Sequence, residues 1–251
     1  MPCAELLDIL TKFVRTIKIM ESIHGISYTL SIRIHSDGFF LSGRDESGRL
    51  LSSKLVTAPI LNLPTDEIAA LLKTEMPASN HKIRLIYESD VFVFVPTALF
   101  DQQETVHYLS FQHKIPKNER VAFNAIPAWD TVNIFTIPSN LLQALMATFP
   151  GVSIEHQMSS LLSDHVHHNT STEIHLWVRA KMMDMIVLKN GKLFLLNSFP
   201  FTTPEDFVYH CMNVADQLEI NNADTHTYLY NGDSRPEIEQ ILNNYLLVTS
   251  R

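Results

Sequence analysis

A mixed α/β fold made of two similar lobes is predicted, because one short pattern of elements occurs twice along the chain. The first copy reads LSIRIHSDGFFLSGRDESGRLLSSKLV, then a helical stretch, then KIRLIYESD. The second reads IHLWVRAKMMDMIVLKNGKLFLLNSF, then a helical stretch, then THTYLYNGD. Gly48 and Gly191 fall at the same turn, Asp90 and Asp233 close the same strand, and the two pairs share one sequence interval. Each copy is a three-strand meander, a helix and a further strand, so each predicts a mixed sheet covered by helices.

In chain order, residues 4–20 place Leu6, Ile9, Leu10, Phe13, Ile17 and Met20 at helical spacing. An amphipathic helix is expected there, packed on its own domain or on a partner. Strands follow at about 27–35, 38–43 and 49–57, turning at Ser36-Asp37-Gly38 and Asp45-Glu46-Ser47-Gly48. Glycine accepts positive φ without strain, which makes Asp-Gly and Ser-Gly steps between apolar runs hairpin signals. A helix near 66–75 begins behind Pro64-Thr65, with Asp66 and Glu67 suited to its N-terminus and Ile68, Leu71 and Leu72 on one face. Two buried strands are expected at Ile83–Tyr87 and Val91–Val95, and a short helix from Pro96.

In the middle, residues 106–112 and 120–127 are read as a strand pair and Val132–Ile137 as a further strand. Ser139 is expected to cap a helix displaying Leu142, Leu145, Met146 and Phe149, which Pro150-Gly151 ends. A strand over Gly151–Ile154 and a helix over His156–Asp164 precede a polar loop. In the second copy, Thr203-Pro204-Glu205-Asp206 combines a capping hydroxyl, proline at the first helical position and an acid three residues after the cap. Phe207, Cys211, Val214 and Leu218 line that helix, and Ile238, Ile241, Leu242 and Tyr245 line the last one. The expected division is an N-terminal helical segment over 1–25, a first half over 26–130 and a second over 131–251.

Bulk properties narrow the function classes. With 45% hydrophobic and 18% charged residues the chain is globular in composition, not disordered. A net charge of −8 argues against a general nucleic-acid binder. No apolar run reaches the roughly 18 residues of a membrane span, and Asp8, Lys12, Arg15 and Lys18 break up any signal-peptide core. Cys3 and Cys211 are too few and too separate for a disulfide framework, so residence in the cytoplasm is expected. No Walker loop, paired-cysteine motif, nucleophile elbow or H-E-x-x-H occurs. Asp164-His165-Val166-His167-His168 is the densest ligand-like run, and it reads as a solvated loop with no metal. Trp129 and Trp177 are read as core anchors.

From about residue 26 onward the chain resembles a bacterial family known only as a domain of unknown function, placed in the actin-like ATPase superfamily with its duplicated ribonuclease H-like fold. Leu30–Phe40, Pro138–Leu162 and Leu195–Gly232 carry the resemblance, and the layout is similar to that of PilM and FtsA. Such a resemblance implies two hairpins that hold the phosphates of Mg-ATP, each offering an acid and bare, glycine-rich backbone. The corresponding residues here are Asp37 and Gly38 in the first half, and Arg179, Lys181 and Asp184 in the second. Gly232 and Asp233 stand in the loop that normally contacts adenosine. The first turn has Asp-Gly in place of a spaced Asp-x-Gly, and the second has no glycine and carries Met182 and Met183. The expectation is a degenerate nucleotide site, a cleft narrowed by Lys181, Met182 and Met183, and a pseudoenzyme that binds an unknown protein partner without ATP. The alternatives are a divergent ATP-binding protein using Asp37, Asp184 and the Gly232 loop, and a PilM-like cytoplasmic scaffold for a membrane partner.

Overall fold

A computed structural model describes residues 28–76, 82–167, 170–230 and 235–250. The N-terminal helical pattern of residues 4–20 and the Asn231–Ser234 loop lie outside the described residues. Contacts divide the chain into two compact units, one with residues up to 125 and 132–157, the other with 126–131 and 158 onward.

In the first unit, β1 (Tyr28–His35), β2 (Gly38–Asp45) and β3 (Leu50–Thr57) form an antiparallel meander. β4 (Lys82–Tyr87) adds parallel to β1, and β8 (Ile154–His156) parallel to β4. The order is β3-β2-β1-β4-β8. Strict alternation in β1 buries Tyr28, Leu30, Ile32 and Ile34 while Thr29, Ser31, Arg33 and His35 stay half-exposed, so the sheet has one core face and one more open face. Helix α1 (Thr65–Glu75) lies on the core face: Ile68 and Leu72 are buried, and Glu75 pairs with Lys54, which shares that face with Leu41 and Ile32. Acids in its first turn and Lys73 in its last both suit the helix dipole.

The chain between β4 and β8 forms a separate three-stranded sheet in the order β5-β7-β6, from β5 (Phe92–Pro96), β6 (Glu119–Ile126) and β7 (Thr131–Pro138). β7 is buried at every position, as its central place requires. The strand expected at 106–112 is instead helix α2 (Thr105–Ser110). Leu109 drops into the small core with Val93, Val95, Val132 and Ile134, and the Tyr108 hydroxyl donates to the Leu99 carbonyl at 2.6 Å. In α3 (Ser139–Thr148) Pro138 is the cap residue and Ser139 the first helical one, its N–H donating to the Asn118 carbonyl at 2.8 Å. The helix is rotated from the expected phase: Leu141, Ala144 and Leu145 are buried and Met146 is 63% exposed.

β8 runs directly into α4 (Gln157–His165), and a buried polar lock holds the junction. The Ser89 carbonyl needs the His156 Nε2 proton at 2.9 Å, which leaves Nδ1 to accept from Asn133 Nδ2 at 2.8 Å. Gln157 closes both sides of Ser89, accepting from its N–H at 3.0 Å and donating to its carbonyl at 2.9 Å. Every one of these groups would otherwise carry a desolvation cost of about 1–3 kcal/mol. The strand itself starts at Ile154, later than the Gly151 start expected.

The second unit repeats the strand order and directions of the first. β9 (Thr172–Val178), β10 (Met182–Lys189) and β11 (Lys192–Pro200) form the meander, and β12 (Thr225–Tyr230) and β13 (Leu247–Ser250) add in parallel, giving β11-β10-β9-β12-β13. Helices α5 (Pro204–Gln217) and α6 (Pro236–Leu242) share one core with Ile174, Leu176, Met183, Met185 and Val187. Phe207 and Cys211 of α5 are fully buried there. A fully buried side chain of the size of Phe207 contributes about 1.5–3 kcal/mol, and the same burial pushes the Cys211 thiol well above its ordinary pKa.

The start of α5 is the capping box expected from the sequence. Thr203 Oγ1 accepts from the Asp206 N–H at 3.2 Å, and the Asp206 carboxylate accepts from the N–H groups of Thr203 and Thr202, each at 3.0 Å. Those backbone donors lower the Asp206 pKa. A depressed carboxylate contributes stability that is present above its unfolded value of about 3.9 and is lost as pH falls through the folded value. Thr203→Ala is expected to cost about 1 kcal/mol in denaturant titration at pH 7. The stability that the Asp206 carboxylate adds, whose backbone donors remain in the variant, should be lost in both proteins as pH falls below about 4 through its folded value.

Candidate functional site

The first hairpin turns at Ser36-Asp37. Asp37 donates its N–H to His35 Nδ1 at 3.2 Å, accepts from the Ser36 hydroxyl at 3.3 Å, and its carbonyl accepts from the Ala58 N–H at 2.9 Å. Its carboxylate stands exposed at the tip. Gly38 has φ of +141°, and a Cβ there would lie 1.9 Å from the Val56 carbonyl oxygen. The close passage of β3 therefore requires this glycine, whatever else the turn does.

At the second hairpin the backbone closes through the Arg179 N–H to the Met182 carbonyl at 2.9 Å. Arg235 Nη2 donates to the Ala180 carbonyl at 3.2 Å, and the Phe201 N–H donates to the Lys181 carbonyl at 3.1 Å. Arg179 folds back along its own hairpin, and its Nη2 donates to Asp184 Oδ1 at 2.8 Å. Ser198 Oγ donates to the same oxygen at 2.6 Å, across the β10–β11 register that sets Asp184 opposite Ser198. Asp184 is 1% exposed and Lys181 is exposed. One correction to the expected geometry follows from strand alternation: Met183 points into the core beneath α5, its sulfur 3.6 Å from that of Cys211. Met182 is half-buried.

Asp37 and Gly38 thus belong to one unit, and Arg179, Lys181 and Asp184 to the other, where Arg179 and Asp184 meet directly. Gly232 and Asp233 lie outside the described residues. The histidine run is not simply a solvated loop. His165 packs its ring on Trp177 and Tyr230 at 5.9 and 5.2 Å between centroids, and Asp164 accepts from Ser160 Oγ at 3.1 Å. No group of three His, Cys, Asp or Glu side chains arranged for a metal occurs among the described residues.

A second buried cluster was missed by sequence reasoning. His175 stands between Glu173, at 3.0 Å from Nε2, and the Tyr230 hydroxyl, at 3.1 Å from Nδ1, while Trp177 stacks on Tyr230 at 4.5 Å. Residues 173, 175 and 177 alternate onto one face of β9, and the parallel register pairs Trp177 with Tyr230. Alternation in EIHLW was the available signal; the partner on β12 needed the register.

Two meanders, each extended by parallel strands in the same order, define the actin-like ATPase fold. A Bacteroides thetaiotaomicron protein with actin-like ATPase fold and unknown function shares 26% identity over 90% of this chain and 91% of its own, with a TM-score of 0.74. A PilM–PilN type IV pilus biogenesis complex is similar at 11% identity over 89% of this chain and 88% of that chain, with a TM-score of 0.56. At that identity the likeness is one of fold. No curated protein matches the chain. The chain belongs to the family described as protein of unknown function (DUF3822), whose model matches residues 20–247. No described helix is long and apolar enough to cross a membrane.

Proposed function

We propose that this protein is a non-catalytic interaction module built on an actin-like scaffold, a pseudoenzyme that works in the cytoplasm through a protein partner. The observation that carries the reading is the state of Asp184. An acid that served a Mg²⁺-bound phosphate would present free oxygens to the metal's water shell. Here one oxygen already accepts from both Arg179 and Ser198 in a nearly sealed position. Non-glycine residues fill the rest of the turn, so its N–H groups lack the bare approach that phosphate needs. These residues do not fit Mg-ATP. The partner half of the reading draws support from PilM, which is solved in complex with PilN; here the role would be to bind a protein partner.

Isothermal titration of the purified chain with ATP and Mg²⁺ tests the proposal. The expected result is no binding tighter than about 1 mM, equivalent to about −4 kcal/mol. Micromolar binding that disappears in Asp37→Ala would establish the divergent ATP-binding reading instead.

A further inference from the structure

We propose that two copies of this chain associate edge to edge through β3, pairing Ser53–Thr57 antiparallel about a two-fold axis at Leu55. β3 ends the first sheet, and among the described residues no strand pairs with its outer side. The phase of the ladder decides which groups face that side. The Ala58 N–H donates to the Asp37 carbonyl at 2.9 Å, and Gly38 stands opposite Thr57. Hydrogen-bonded and non-hydrogen-bonded positions alternate along an antiparallel pair, so Ser52, Lys54 and Val56 turn their backbone groups to β2. Ser53, Leu55 and Thr57 turn theirs outward, and all three residues are exposed. Open edges of this kind recruit another strand unless something blunts them. β3 has eight residues and no proline, and its one charge, Lys54, is tied to Glu75 on the core face. The equivalent edge of the second unit is guarded. There β11 opens on exposed Lys192, ends in Pro200, and has the Lys189 ammonium 5.9 Å from the ring of Phe194.

A second copy is the occupant because this strand is complementary to itself. With the axis at Leu55, the outward groups of Leu55 meet those of the second copy's Leu55. Ser53 then meets Thr57 in both directions, giving about six backbone hydrogen bonds. Phe40 and Leu55, 37% and 61% exposed, are cross-strand partners on the open face of the sheet. The axis extends that pair into one apolar row, Phe40 and Leu55 of one copy followed by Leu55 and Phe40 of the other, and takes it out of water. On the opposite face Lys54 falls beside the second copy's Val56, so the two ammonium groups do not meet. Moving the axis to Lys54 would set those like charges directly opposite each other, which is destabilising. One strand pair is a smaller contact than the roughly 800 Å² per partner of stable complexes, so the dimer is weak and depends on concentration.

Sedimentation velocity on the full chain between about 1 and 200 μM, with residue-resolved amide exchange at both ends of that range, tests the proposal. The unaltered chain should pass from monomer towards dimer as concentration rises. Amides of Ser53, Leu55 and Thr57 should slow by about tenfold at the high end, while those of Lys54 and Val56 are protected at both ends. Ser53→Pro removes one outward N–H and leaves the β2 ladder whole, so it should weaken association about tenfold or more with the circular dichroism of the parent. Leu55→Lys, at an exposed position, should do the same by setting two ammonium groups face to face across the axis. A chain that stays monomeric at the highest concentration would overturn the proposal. So would a dimer in which the amides of Ser53, Leu55 and Thr57 stay fast, or one indifferent to both substitutions, since another surface would then be the contact.

Discussion

Gly38→Ala is expected to lower unfolding stability by about 3 kcal/mol, read as a fall in denaturant midpoint at constant m-value. Two costs add. The φ of +141° is a conformation open to glycine and strained for alanine. The new Cβ would also sit 1.9 Å from the Val56 carbonyl oxygen, and backbone in the middle of a paired strand cannot step aside cheaply. Asp37→Ala, one residue earlier, should change stability by less than about 0.5 kcal/mol, because its carboxylate is exposed and, among the described residues, meets only the Ser36 hydroxyl. The contrast separates the two residues that the superfamily resemblance joins into one motif. Gly38 is required by β3 passing beneath it, with or without a phosphate above, while Asp37 is free of structural duty. An alanine tolerated at 38 would show that the turn does not run as described.

Much of this architecture could be read from residue pattern, because its signals are local. Alternation in LSIRI and IHLWV set the core faces of β1 and β9, and Thr203-Pro204-Glu205-Asp206 contains every group its capping box uses. Errors arose where tertiary partners decided the matter. Val106 and Tyr108 alternate as in a strand, yet Leu109 has a core to fill and the Tyr108 hydroxyl reaches back to the Leu99 carbonyl, which a helical turn allows. In α3 the face turned to the core is Leu141, Ala144 and Leu145, with Met146 outside, a phase set by the helix's neighbours and not by its own apolar spacing. The candidate site was less legible still. Arg179 and Asp184 could be named as charged residues on a hairpin, but their union depends on how the turn folds, and Ser198 enters only through the β10–β11 register. Glu173, His175 and Tyr230 meet for the same kind of reason, on parallel strands separated by a helix.

Removing Arg179 should be the most damaging change at the second hairpin. In Arg179→Met the methionine keeps much of the side-chain volume, but Asp184 remains a buried carboxylate that has lost its guanidinium partner. Breaking a buried pair in this way costs about 3–5 kcal/mol, most of it the penalty of the stranded charge. Asp184→Asn should cost less, since the Arg179 guanidinium is the more exposed partner and has water within reach. The double variant Arg179→Met/Asp184→Asn should recover most of the loss, because neither charge is then left in the interior, and the coupling energy of the cycle measures the pair. Were Asp184 held in reserve for a metal-bound phosphate, with Arg179 swinging away on binding, Arg179→Met would cost the same stability, since the pair stands in the nucleotide-free protein either way. It would also open the hairpin to Mg²⁺ and ATP, visible as heat in the titration that the parent lacks. A large loss of stability with no gain of nucleotide binding is therefore the outcome expected if this ion pair serves the hairpin's structure alone.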